Sequence, residues 1–369
     1  MSKRLATVIA LALASTAVSA QAPQQADAAA APAPAFDAAE ARSIVTKLAS
    51  ELEDNFVFPE KGKAYATELR SKLATGAYSK FPDGLAFADA VTRDLQAVHP
   101  DGHLRLHPPR PGAGGAGPAM RRERPEAIGK SGWIAPGVAY IAFNIFPGDE
   151  GTVAKLKQFL DTHADARTLI IDARTHGGGG LTEMDVMFPY FFAKRQTLVQ
   201  MDTRIAVEQR RGNPLDDGPT LVKVKGPEGV VRRAHGVIPA ASATGLRTAK
   251  IYLLTSERTA SAAEHLSLSL KRTGRATLIG ETTAGAGHYG GMVPVGGGYA
   301  AFIPVGRTFD PDTDKGWEGT GVKPDVDVPA ERALAEALIR SGVAQAEAER
   351  LSAEYHPTLP MKRRRPRTS

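Results

Sequence analysis

The 369-residue chain contains no cysteine. That excludes a disulfide framework, a thiolate nucleophile and any cysteine-based metal site. Beyond the N-terminus, no apolar run approaches the roughly 18 residues a transmembrane helix needs. No serine lies in a Gly-x-Ser-x-Gly sequence, which counts against an α/β-hydrolase esterase. The body of the chain also lacks charge excess. The formal net charge is +6, but Lys3, Arg4, Lys362, Arg363, Arg364, Arg365 and Arg367 lie at the two ends, and without them the remainder carries −1. A nucleic-acid-binding domain would need a basic footprint there, and none is present.

The sequence begins with Lys3 and Arg4, an apolar run from Leu5 to Ala17, and the small residues Val18, Ser19 and Ala20. This pattern predicts a secretory signal over 1–20, and hence a periplasmic or secreted protein in which missing cysteines avoid unwanted oxidation. Residues 21–35 are nearly all Ala, Pro and Gln and predict a disordered linker. From Phe36 to about residue 100, three helical patterns predict a small bundle. The first carries Ala41, Ile44, Val45, Leu48 and Leu52, and the third Phe87, Val91, Leu95 and Val98.

From residue 101 the pattern changes. His103 to His107 alternates, placing Leu104 and Leu106 on one side of a strand and His103, Arg105 and His107 on the other. Residues 108–136 are rich in Pro, Gly and Arg and predict a loop. A strand at Val138–Phe146, a helix at Glu150–His163 and an apolar strand at Thr168–Asp172 make a βαβ unit, so a largely parallel sheet is expected through about residue 345. Strands at Lys250–Thr255 and Ala276–Gly280 flank a helix starting at Ser261. Residues 346–369 predict a frayed segment with a basic tail, a solvated end that could contact acidic lipid.

Several motifs fail on context. Gly112 to Gly117 has dinucleotide-fingerprint letters but neither follows a strand nor opens a helix, and Gly129-Lys130-Ser131 lacks the earlier glycine of a phosphate loop. His103 and His107 stand on a strand without a zinc-protease motif around them, so no metal is expected. The chemically suggestive segment is Thr259-Ala260-Ser261-Ala262-Ala263-Glu264. Ser261 at a helix start has the unpaired N–H of Ala262 beside it to stabilise an oxyanion. Ser261 is equally a good helix cap.

The wider order of motifs bears on that choice: Leu169 to Arg174, Gly177 to Gly180, Thr259 to Glu264, Gly280 to Gly285, and Trp317 to Asp325. Together they resemble the tail-specific (C-terminal processing) serine protease family, above all the branch related to the tricorn protease core and interphotoreceptor retinoid-binding protein. The resemblance covers roughly Phe36 to Arg340. It implies a crotonase/ClpP-like α/β core preceded by the helical bundle, with Ser261 as nucleophile, His103 as base and Glu318 orienting it. It also implies Ala262 and Gly178 N–H groups as the oxyanion hole, and no cofactor.

Gly285-Ala286-Gly287 stands where the classical branch has its lysine base, and His176 where the family usually has asparagine. Gly102 stands where the tricorn core has a serine before its histidine. His288, His176 and Gly285 are expected to line the site, His288 ranking below His103 as base. The interval at 108–136 is too short for an inserted PDZ domain. The function implied is an exported serine endopeptidase acting on extended polypeptides. A non-catalytic ligand-binding module of the same fold and a serine esterase or amidase are its alternatives, the former without special support from the 6% aromatic content.

Overall fold

The computed structural model describes residues 35–109, 125–242 and 244–362. The expected signal at 1–20, nearly all of the 21–35 linker, the Gly112–Gly117 run and the tail beyond Lys362 lie outside them.

Asp37 caps α1 (Ala38–Asn55), its carboxylate accepting the Glu40 N–H at 2.7 Å, which satisfies one otherwise unpaired donor. Pro59 opens α2 (Pro59–Ala74), a position where its missing N–H costs nothing. Asp83 caps α3 (Gly84–Val98) through the Ala86 N–H. Strand β1 (Arg105–His107) then buries Leu106 and exposes its neighbours, as the alternation predicts. The helices bury Ile44, Leu48, Tyr65, Phe87 and Val91 in a core shared with Leu104 and Leu106 and with Val295, Ala301 and Ile303 from further along the chain.

Within the 108–136 interval, read as loop, Ile128–Ala135 forms a strand, β2. Its Gly129, Lys130, Ser131 and Gly132 carry no strand signal. An edge strand half open to water tolerates them, because main-chain pairing with β3 (Val138–Phe143) supplies the order. Next come α4 (Glu150–Thr162), β4 (Thr168–Asp172), α5 (Thr182–Phe191), β5 (Gln196–Arg204), α6 (Ile205–Arg211), β6 (Leu221–Val224) and β7 (Val230–Val237). They are followed by β8 (Lys250–Thr255), α7 (Ala262–Arg272), β9 (Thr277–Gly280), β10 (His288–Gly296), β11 (Tyr299–Phe309), β12 (Val326–Asp327), α8 (Ala333–Arg340) and α9 (Gln345–Glu354).

One sheet runs β12-β9-β8-β4-β3-β2 and is parallel except for the β2–β3 pair. Alternate residues of its strands serve two cores. Ile141, Leu169, Ile171 and Leu253 meet Leu156, Phe188 and Leu266, while Tyr140, Ile170, Tyr252 and Leu254 meet Leu334, Leu338 and Leu351. Burial on both faces explains why these strands read as continuous apolar runs. The other sheet, β1-β11-β5-β7-β6 with β10 on β11, is antiparallel throughout. It absorbs the turn-rich stretch after Phe192.

The frayed end expected from residue 346 is instead ordered helix as far as Glu354. Ala348 and Leu351, one turn apart, are buried against the second core. The apolar signal was thin because alanine carries half of it. Among the described residues, no helix is long and apolar enough to cross a membrane.

Candidate active site

Strand β8 ends in a polar turn. The Thr259 N–H donates to Ser256 O at 3.0 Å, the Ser256 N–H to Thr259 Oγ1 at 2.9 Å, and the Ala260 N–H to His176 O at 3.0 Å. The turn delivers Ser261 to the start of α7 at φ 56° and ψ −117°. A side-chain-bearing residue there carries strain of about 1–3 kcal/mol and persists only where its surroundings over-determine it. The Ala262 N–H, first on the helix, donates to no group among the described residues.

Glu264 is the residue that sequence reasoning left without a role. Its side chain is fully buried and accepts four donors: the Ser261 N–H at 2.8 Å, Thr283 Oγ1 at 2.6 Å, the Gly285 N–H at 2.6 Å and the Ala286 N–H at 2.8 Å. Burial raises its pKa, and those four hydrogen bonds pull it back. Glu264 stands three residues after the cap, so a capping-box pattern was its available signal. It ties the Ser261 backbone to the 283–288 loop.

On the other side of that loop lies the turn carrying His103. A side chain on Gly102 would meet Ala286 Cα and Gly285 O at 2.8 Å, so the approach requires glycine. Glu318 accepts the Gly102 N–H at 2.6 Å through Oε1, and the Gly287 and His288 N–H groups at 2.6 and 3.0 Å through Oε2. Its carboxylate thus clamps the turn to the loop. Asp101, a second residue not singled out from sequence, accepts the His103 and Leu104 N–H groups at 2.9 Å through one oxygen and pairs with His288 Nδ1 at 2.7 Å through the other. The signal was an aspartate two residues before a histidine, an Asx turn. His103 stacks on Phe302 with ring centroids 4.8 Å apart. His288 lies against the Phe56 and Phe58 rings, committed to Asp101.

Burial works against the Asp101 charge, but the His288 hydrogen bond and charge, joined by the two backbone donors, hold its carboxyl below the usual range. Burial and then the Asp101 charge push Glu318 upward, against the pull of His288 and the Gly102 and Gly287 N–H groups. Asp101, His103 and Glu318 bring ligand-type atoms within 4.8 Å of one another. Both carboxylates already accept protein donors, backbone N–H groups for each and the His288 ring for Asp101.

The glycine loop closes the site from the β4 side. A Cβ on Gly178 would lie 2.8 Å from Ser261 Cβ. The Gly178 N–H, expected to face an oxyanion, donates to His176 Nδ1 at 3.0 Å. The Gly177 and Gly180 N–H groups bind Asn144 O and Phe146 O, leaving the Gly179 N–H without an acceptor among the described residues. Beneath the loop, Arg174 and Asp172 form a buried ion pair at 2.6 Å, a support rather than a substrate contact.

His176 is fully buried with its ring 4.1 Å from that of Phe146, and burial drives its pKa down to about 3. His265 on α7 is likewise held well below the ordinary value, by burial and then by the His235 charge. Its Nε2 lies 2.7 Å from His235 Nδ1, and His235 Nε2 lies 3.1 Å from Asp185. Both His176 and His265 stay neutral in the fold but take protons once unfolded. Stability is therefore intact above about pH 6.5 and is lost as pH falls toward the folded values. At pH 5.5 the His176 shift costs about 1.4 kcal/mol. His176→Asn should flatten the decline of the urea midpoint between pH 7 and pH 4.5. Parallel curves for the two proteins would refute this account.

Comparison with known proteins bears on the family and the fold. A profile described as peptidase family S41 matches residues 137–328, and one described as the N-terminal domain of that peptidase in eukaryotic IRBP matches residues 34–129. Among solved structures, the photosystem II D1 C-terminal processing protease is 15% identical over 85% of this chain and 99% of its own, with a TM-score of 0.52. A peptidase-like protein from Parabacteroides merdae is 15% identical over 82% and 93%, with a TM-score of 0.52. A lipoprotein from Streptococcus agalactiae is 13% identical over 82% and 97%, with a TM-score of 0.50. At such identities the structural likeness speaks for the fold.

Proposed function

The chain belongs to peptidase family S41 and is a serine-type peptidase, and from that premise we propose an exported endopeptidase that cuts extended polypeptides through Ser261, His103 and Glu318. The observation that carries the reading is Ser261 itself, a non-glycine residue at φ 56° whose N–H is tethered by a buried glutamate at the mouth of α7. Ser261 Oγ attacks the scissile carbonyl while His103 takes its proton and returns it to the leaving amine. Glu318 acts by fixing the backbone of the turn beneath His103, and Asp101 by holding that turn from the other side. The Ala262 N–H stabilises the oxyanion together with a donor from the glycine loop. Of the loop's N–H groups, that of Gly179 has no acceptor among the described residues, whereas that of Gly178, the donor the resemblance implies, is held by His176. Water then cleaves the acyl-enzyme, with His103 acting as base.

The pattern over 1–20 supports export to the periplasm or beyond. The test is incubation with casein and with a fluorophosphonate probe. The expected result is cleavage of casein and labelling at Ser261, both lost in Ser261→Ala. A wild-type protein that neither cuts nor labels would overturn the proposal in favour of a binding module, and one that hydrolyses simple esters alone would favour an esterase.

A further inference from the structure

We propose that the segment after α9, residues 355–362, is a strap that holds the nucleophile turn in its working geometry, an inference that rests on Ser261 as nucleophile. Along it Tyr355, Pro357, Leu359 and Met361 are partly or fully buried while His356, Thr358, Pro360 and Lys362 are exposed. One side of the segment is thus laid on the body.

The strap is anchored at both ends. At its start, the Tyr355 ring packs edge-on against Tyr140 with centroids 5.1 Å apart. Lys130 Nζ lies 4.8 Å above the Tyr355 ring and donates to Glu354 O at 2.6 Å. At its far end Met361 is 6% exposed, and its carbonyl accepts the Ser256 hydroxyl at 2.8 Å.

Ser256 opens the turn that leads to Ser261. Its side chain is fully buried, and its one hydroxyl proton is shared between Met361 O and Arg174 O, the latter at 2.6 Å. The same oxygen accepts the Arg258 N–H at 2.9 Å. The strap carbonyl is therefore one of the groups that fix the turn between β8 and α7. A strained residue at the end of such a turn depends on every such restraint, and a nucleophile displaced by about 1 Å can lose about 100-fold in rate.

The experiment compares the full chain with one ending at Lys362 and one ending at Glu354. The shorter chain should label with fluorophosphonate at least about tenfold more slowly. Its KM for a casein peptide should stay within about twofold of the full chain, since the strap acts on the position of Ser261. Backbone amides of 257–262 should exchange faster, and a synthetic peptide spanning 355–362 should restore the labelling rate. The chain ending at Lys362 should match the full chain, because the strap is intact. Unchanged labelling and exchange in the chain ending at Glu354 would overturn the proposal. So would a loss that tracks global unfolding by circular dichroism and is not restored by the peptide. If the full chain does not label at all, the nucleophile assignment fails, and the exchange at 257–262 still decides whether the strap holds the turn.

Discussion

Ser261→Gly should yield a protein that no longer cuts casein yet resists urea better than the wild type. The loss of the hydroxyl removes the attacking group and should lower the rate by about 10⁴ or more, the effect of deleting one member of a triad. The gain comes from the backbone. At φ 56° and ψ −117° a Cβ is strained by about 1–3 kcal/mol, and glycine accepts the conformation freely. Set against this is the extra chain entropy glycine loses on folding, about 0.5–1 kcal/mol. The balance is a net rise of roughly 1 kcal/mol. Ser261→Ala, equally inactive, keeps the Cβ and should show no comparable gain. Urea midpoints of the three proteins decide the matter: a glycine variant less stable than the alanine variant refutes the strain argument, and one that still cuts casein refutes the nucleophile.

Glu264→Gln should damage both stability and catalysis. The carboxylate accepts the Ser261, Gly285 and Ala286 N–H groups and the Thr283 hydroxyl. An amide of the same shape replaces one acceptor oxygen by a donor and turns it toward other donors. Leaving such buried groups unpaired costs about 1–3 kcal/mol each, so a loss of about 2–4 kcal/mol is expected even after relaxation. Because Glu264 also joins Ser261, the proposed nucleophile, to the loop that bears on Gly102, kcat should fall by about 100-fold. Glu347→Gln provides the contrast. That carboxylate pairs with Arg350 on an exposed helix face, where water screens the pair, and its loss should leave stability nearly unchanged. Thermal melts and kcat for the two variants separate the cases. Equal, small effects would mean that the Glu264 network is dispensable.

What could be read from the sequence were features whose cause lies within a few neighbouring residues. The apolar runs of β4 and β8, the alternation around Leu104 and Leu106, the Asp37 cap and Ser261 at a helix start all have such causes. What could not be read depends on who meets whom across the chain. Asp101 and His288 are 187 positions apart, and no spacing rule pairs them. Strand β2 exists because β3 offers it main-chain partners, despite its own glycines and lysine. Helix α9 is ordered because Ala348 and Leu351 find a sheet to cover. The Gly178 N–H looked like an oxyanion donor because nothing in the order of letters shows that the ring two residues earlier turns back to accept it.

The clamp on Glu318 has a temporal consequence. Its contact with Gly102 spans 216 positions, so the histidine-bearing turn, made early by the ribosome, waits for nearly all the remaining chain before it is fixed. The Ser261 turn is completed later in the chain, at Met361, although its own wait is the shorter, 105 positions beyond Ser256. Contacts so remote in sequence form late, after the cost of closing long loops has been met. If the proposed site is the working one, a nascent copy should be inert while it is extended and become competent only once its own backbone is folded.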